Sequence, residues 1–207
     1  MSTQILDSPY LRFARGLVRT LRRPAAMLRA NPVNVAEATL SEEERSLIGK
    51  LVVESAGTPG PIIEIGTLLG ATTTHMALAK QADQEILTVD NYCWNPWSLT
   101  PDAHHALAAH ALHYLKATGH VRQVRMDKDE FFRTYDGPPP ALVFLDAWHT
   151  YEETRKDIAW AISANTAIIA GHDYCDLWPG VMQAVDEFGG ASRLQGSVWV
   201  LPNRKGV

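Results

Sequence analysis

The stretch PIIEIGTLLGATTTHMALAKQA, residues 61–82, decides the fold. Its opening is an apolar run interrupted only by Glu64, short enough for a buried strand. Gly66 and Gly70 follow at once, and residues 71–82 then read as a helix. Strand, glycine-rich turn and helix in succession form the first unit of a parallel sheet. Glycines in such a turn allow a tight reversal and a close approach of a ligand to the backbone, ahead of a helix N-terminus.

Working outward, the same alternation continues. Residues 40–57, LSEEERSLIGKLVVESAG, read as a preceding helix. Ser41 and Glu44 make a capping box, three glutamates favour the positive helix start, and Gly57 is a stop. Downstream, EILTVD (85–90), VRQVRM (121–126), ALVFLD (141–146) and TAIIAG (166–171) read as strands. Between them lie helices over 102–119, about 127–135 and 150–164. A last helix covers 181–188, and residues 192–203 read as two strands turning at Gly196. Strands alternating with helices predict an α/β fold, a parallel sheet covered on both faces, with a hairpin-like edge.

Composition is consistent with one domain. The chain has 207 residues, 46% of them hydrophobic and 20% charged, which is enough for a full core. A formal charge of −4 gives no signal for nucleic acid. Two cysteines, Cys93 and Cys175, are too few for a disulfide framework and point to a reducing cytoplasm. No apolar run reaches the ~20 residues needed to span a bilayer, and the first thirty residues lack the pattern of a signal peptide. Residues 1–40 stand apart as an N-terminal helical extension to a domain over 41–207. Within it, Leu11, Ala14, Leu17, Val18 and Leu21 fall at helical spacing among five arginines, and Pro24 ends the pattern. Such a stripe packs on its own domain, on a twin subunit to make a homodimer, or on a membrane surface or acidic partner without inserting stably.

The polar residues at the strand ends carry the chemistry. Glu64 stands where a pyrophosphate would be repelled but an ammonium or sulfonium welcomed. Asp90 ends the second strand, where an acid accepts hydrogen bonds from ribose hydroxyls. The spacing around Gly66 and Gly70 is E-x-G-x-x-x-G, not the dinucleotide G-x-G-x-x-G. Together these four residues favour a positively charged nucleoside over one carrying phosphates.

The segments IIEIGTLLGATTTHMA (62–77), LTVDNY (87–92), LVFLDAWHTYEETRKDI (142–158) and IIAGHDY with PGVMQAVDEF (168–174, 179–188) resemble class I S-adenosylmethionine-dependent methyltransferases. The likeness is greatest to metal-assisted small-molecule O-methyltransferases of the catechol, macrocin and cephalosporin-tailoring types, over roughly residues 60–202. It implies a Rossmann-like seven-stranded sheet whose last strand is antiparallel. It also implies that Glu64, Gly66 and Gly70 surround the methionine part of S-adenosylmethionine, with Thr67 and Thr72 adding hydroxyl or amide hydrogen bonds. Asp90 then takes the ribose, Met126 and Asp127 the adenine, and Trp148 lies against the adenine ring.

In the same family order, Asp146 and Asp173 end neighbouring strands only ~4.8 Å apart, so both can converge on one divalent cation. With His172 they form the expected metal set, and His149 is the expected base, with His172 as a second. An all-oxygen site suits magnesium, whereas an imidazole ligand favours manganese, iron or zinc. His149 and His172 depart from the lysine and the acid of the catechol type. The expected reaction is therefore methyl transfer to a hydroxyl of a small-molecule acceptor. Two alternatives stay open: metal-dependent oxidation on His149, His172 and Asp146, and a non-catalytic cofactor-binding subunit. The aromatics Tyr92, Trp94, Trp97 and Trp178 wall an acceptor pocket or shield a core edge or dimer contact. His110 and His113 share a helical face without matching carboxylates and read as exposed or as an interface.

Overall fold

A computed structural model describes residues 40–80, 83–94 and 98–203. The expected N-terminal helix, most of its extension, and Trp97 lie outside the described residues. Seven strands form one sheet: β1 (Ile62–Ile65), β2 (Ile86–Asp90), β3 (Val121–Arg125), β4 (Leu142–Leu145), β5 (Ile168–Gly171), β6 (Arg193–Gln195) and β7 (Val198–Val200). Their spatial order is β3-β2-β1-β4-β5-β7-β6. The first five run parallel, while β7 pairs antiparallel with both β5 and β6. This is the Rossmann-like seven-stranded arrangement expected from the sequence. Strand order reverses at β1 and β4, and the crevice beyond their carboxyl ends is where open α/β sheets bind ligands.

Alternation along the strands supplies both faces. Ile62, Ile86, Leu142, Phe144 and Val200 pack with α1 (Glu42–Ser55), with Met76 of α2 (Ala71–Ala79) and with Leu112. Ile63, Ile65, Val143, Leu145 and Trp199 pack with α5 (Lys128–Thr134), α6 (Tyr151–Ser163) and α7 (Pro179–Glu187). Each fully buried aliphatic side chain contributes ~1.5–3 kcal/mol, so the two layers hold the strand ends rigidly. The capping box forms as read: Glu44 N donates to Ser41 Oγ, and Ser41 N donates to Glu44 Oε2.

One helix differs from expectation. Residues 102–119 form two helices, α3 (Pro101–Ala111) and α4 (His113–Ala117), joined at Leu112. The break turns Leu112 inward, wholly buried and against Gly70. His110 and His113 are exposed, as their spacing suggested. Among the described residues no helix is long and apolar enough to cross a membrane.

Candidate active site

Gly66 begins the site. Its φ of +103° is one that side chains resist, and a Cβ there would stand 1.9 Å from the carbonyl oxygen of Asp146. Only glycine lets the turn after β1 pass this close to the end of β4. Gly70 (φ +82°) opens α2, where a Cβ would press on Leu112.

Asp90 fastens the turn. Its Oδ2 accepts the N–H groups of Thr67 and Leu68, both at 2.9 Å, and its Oδ1 accepts that of Tyr92 at 2.6 Å. Leu68 and Tyr92 both adopt left-handed backbone, at φ 48° and 60°, so the carboxylate holds two strained segments together. An ionised carboxylate offers about four acceptor positions, leaving room for one further donor.

Above this turn lies a cavity of about 300 Å³. Gly66, Thr67, Thr72 and Asp90 line one part, and Asp146, Trp148, His149, His172 and Asp173 line the other. Nine of the expected site residues thus come together across the ends of β1, β2, β4 and β5. Four do not line it. Glu64 points into the core, fully buried, where its Oε2 accepts the hydroxyls of Thr73 and Thr88. Burial pushes that carboxyl up to about 8 despite the two hydroxyls. Gly70 faces Leu112, and Met126 packs in the core on the α5 side. Asp127 caps α5, accepting from Asp129 N, and receives Asn91 Nδ2 at 3.2 Å.

The aromatic expectation also divides. Trp94 lines the cavity and is half exposed. Tyr92 is fully buried, its hydroxyl accepting from Gln123 Nε2, so it is core rather than wall. Trp178 lies against the His149 ring at 4.5 Å between centroids.

Two polar lining residues were not anticipated. Asn91 follows Asp90, and Lys128 sits at the start of α5. The Lys128 side chain is only 7% exposed, and its Nζ lies 2.8 Å from Asp129, 2.7 Å from Glu153 and 2.7 Å from Asp157. The signal for it was Glu153 and Asp157, an i,i+4 pair that must face a cation.

At the other end the charges converge. Ligand atoms of Asp146, His149 and Asp173 all lie within 4.8 Å of one another. His149 Nε2 is 2.9 Å from Asp173 Oδ2 and 3.7 Å from Asp146 Oδ1. The nitrogen lacks the alignment of a hydrogen bond to either acid. A nitrogen aimed between two carboxylates suits a shared cation, and this donor set fits a divalent transition ion. His172 stands beside the group, its Nδ1 3.4 Å from Asp173 Oδ1 and 3.8 Å from Asp146 Oδ1. The convergent set therefore contains His149 where the sequence reading placed His172. It offers two carboxylates and one imidazole, rather than the two imidazoles and one carboxylate of the oxidation alternative. Burial opposes charge on both imidazoles, but the neighbouring acids outweigh it and raise each to about 9. Burial likewise opposes charge on Asp173, yet the two histidines hold its carboxyl below the usual range.

A family model described as a methyltransferase domain matches residues 63–174, more than half of the chain. The chain belongs to that methyltransferase family. The match spans β1 to the residues after β5, and so contains every strand end that lines the cavity. A search of curated proteins finds no match to the sequence. Among solved structures, this methyltransferase is similar to CalS11, a TDP-rhamnose 3'-O-methyltransferase of calicheamicin biosynthesis. The TM-score is 0.62 at 19% identity, covering 97% of each chain. It is also similar to the O-methyltransferase TomG of Streptomyces achromogenes in complex with S-adenosylmethionine. There the TM-score is 0.59 at 17% identity, with 78% of each chain covered. An O-methyltransferase of Bacillus cereus, in complex with S-adenosylhomocysteine, gives a TM-score of 0.59 at 15% identity, covering 85% of this chain and 88% of that one. At these identities the likeness establishes the fold.

Proposed function

We propose that this methyltransferase carries a methyl group from S-adenosylmethionine to a hydroxyl oxygen of a small molecule, assisted by a divalent cation at Asp146, His149 and Asp173. The observation that carries the reading is one cavity with two differently built ends. One has a glycine turn and an acid with a spare acceptor position; the other has the convergent carboxylates and imidazole. The solved structures similar in fold include O-methyltransferases, one of them holding the methyl donor.

The donor supplies an electrophilic methyl on a sulfonium, and the cation, when bound, supplies a Lewis acid that lowers the pKa of an acceptor hydroxyl. The protein's residues do the rest. The backbone at Gly66 and Thr67 allows close approach, and the remaining acceptor position of Asp90 suits a ribose hydroxyl. Trp148, Asn91 and Lys128 border the space suited to the adenine. Asp146, His149 and Asp173 would hold the cation, and His172 stands beside the same acids.

A second reading rests on the 2.9 Å approach of His149 to Asp173. There the pair works without a cation, Asp173 orienting the imidazole and His149 serving as base. The test is turnover of S-adenosylmethionine against a panel of phenols and sugars, with the protein stripped by chelator and then restored with manganese or magnesium. Activity lost on stripping and regained with the ion supports the first reading. Activity unchanged by the chelator but abolished in His149→Ala supports the second. No methylated product from any hydroxyl acceptor, alongside methylation of an amine or thiol, overturns both.

A further inference from the structure

The end of the cavity away from the convergent acids lies toward β3. Neighbours in the sheet run β3-β2-β1-β4-β5. A ligand that meets the acids beyond β4 and β5 and the spare acceptor position of Asp90 beyond β2 therefore continues toward β3. In S-adenosylmethionine the ribose carries its base on that side. Asn91 and Lys128 are the polar side chains lining it among the described residues. Lys128 is already committed, its Nζ lying within 2.8 Å of Asp129, Glu153 and Asp157. Asp127 does not line the space, and both its oxygens are engaged. Oδ1 accepts the Asp129 N–H at 3.0 Å, and Oδ2 receives Asn91 Nδ2 at 3.2 Å.

Asn91 sits in a fixed frame. Its Oδ1 accepts the backbone N–H of Cys93 at 2.9 Å, while its Nδ2 donates to Asp127. The two contacts agree on which end of the amide is which. Turned over, it would set N–H against N–H at Cys93 and oxygen against carboxylate at Asp127. A primary amide has two hydrogens and two acceptor positions. Among the described residues one of each is used, which leaves one Nδ2 hydrogen and one Oδ1 position. Adenine offers the complement, an amino hydrogen beside a ring nitrogen, and an amide pairs with it for that reason. Hypoxanthine carries an oxygen in place of the amino group. That oxygen would face Oδ1, and the frame keeps the amide from turning over to suit it.

We propose that Asn91 selects the adenine of the cofactor, accepting its amino hydrogen at Oδ1 and donating from Nδ2 to the neighbouring ring nitrogen. Asp127 is the positioning residue that holds the amide in this sense. Asn91 thus takes the part that the family resemblance gave to Asp127, whose carboxylate is turned to α5 and to Asn91 itself. The inference rests on the methyl-donor reading of the cavity and names the residue in it that distinguishes one base from another.

The experiment is calorimetric titration of the full chain with S-adenosylhomocysteine and with S-inosylhomocysteine, which differs in carrying hypoxanthine. The parent binds the inosyl ligand about ten- to a hundredfold more weakly. Asn91→Leu keeps the side-chain volume but loses the amide, and it brings the two affinities within about threefold, chiefly by weakening the adenosyl ligand. Asn91→Ser keeps an oxygen for the Cys93 N–H but is too short to serve the base, and it gives the same loss of preference if the leucine variant unfolds. Asp127→Ser retains a capping oxygen for α5 and frees the amide to turn over, so the preference falls several-fold. Thermal melts verify that each variant is folded. Equal affinities in the parent, or an undiminished preference in a folded Asn91 variant, overturn the proposal while the cofactor reading stands. An undiminished preference in folded Asp127→Ser overturns the positioning role alone. A parent that binds neither ligand overturns the proposal and the cofactor reading together.

Discussion

Replacing Asp90 tests how the turn and the cofactor share one carboxylate. Three backbone N–H groups, those of Thr67, Leu68 and Tyr92, end on it. Each bond to a charged group is worth ~1.5–3 kcal/mol. In Asp90→Ala, water reaches some of these donors through the open cavity. Leu68 and Tyr92 also relax from their left-handed conformations, recovering ~1 kcal/mol or more each. The net loss is then about 2–3 kcal/mol, a fall in Tm of ~4–12 °C for a chain of this size. Binding suffers separately, because the spare acceptor position is gone and the turn is no longer preformed; affinity for S-adenosylhomocysteine falls at least ~10–100-fold. Asp90→Asn is the milder form of the same perturbation. One amide oxygen can serve Oδ1's donor or Oδ2's pair, never both, so the turn still loosens while the side-chain volume is kept. Differential scanning fluorimetry and calorimetry of S-adenosylhomocysteine binding read the two quantities. If Asp90→Ala melts within 1 °C of the parent and binds with unchanged affinity, the reasoning fails on both counts.

Further outcomes follow from the same contacts. Gly66→Ala, forced against the Asp146 carbonyl, costs about 3 kcal/mol or more and displaces the end of β4, so melting and cation binding fall together. Burial opposes the charge on Glu44, but its bonds to Ser197 and Ser41 outweigh it and lower the carboxyl to about 2. Its stabilising effect is present above about 4.5 and lost as pH falls toward 2, so urea midpoints measured across that window decline less in Glu44→Gln. Glu64 has the opposite sign, because the native state keeps its proton up to about 8. Parent stability therefore drops as pH rises from about 4.5 to 8, and Glu64→Gln flattens that slope in the same denaturation series. Cation ligands must be deprotonated, and His149 sits at about 9, so apparent cation affinity rises with pH up to that value in calorimetric titrations.

The centre of the sheet was legible because β1, β2, β4 and β5 are short, mostly apolar runs bounded by glycines and acids, and periodicity reports such runs directly. Asp90, Asp146, His149 and Asp173 were legible for the same reason, since a strand's end fixes where its next polar residue must lie. What one strand's sequence does not carry is which face a side chain takes. Glu64 was read as a cavity residue, but in a strand buried on both faces it points into one of the covered layers, against Thr73 and Thr88. Tyr92 was hidden similarly: a left-handed backbone turns it into the core, and nothing in NYCWNPW announces that. The exchange of His149 for His172 in the convergent group depends on ring orientation. The His172 ring lies against Ser197 Oγ, which in turn bonds Glu44, more than a hundred residues from His172 in sequence. Lys128 was concealed because two of its three acidic partners, Glu153 and Asp157, lie on another helix.

The central claim is that Asp146, His149 and Asp173 hold a divalent cation in the cavity that binds the methyl donor. Its most direct test is manganese titration followed by electron paramagnetic resonance, with S-adenosylhomocysteine present, in the parent and in Asp146→Ala and Asp173→Ala. One ion bound per chain in the parent, and none held comparably in either variant, is the predicted result. A parent that binds no manganese at millimolar concentration, or variants that bind it as tightly as the parent, would contradict it.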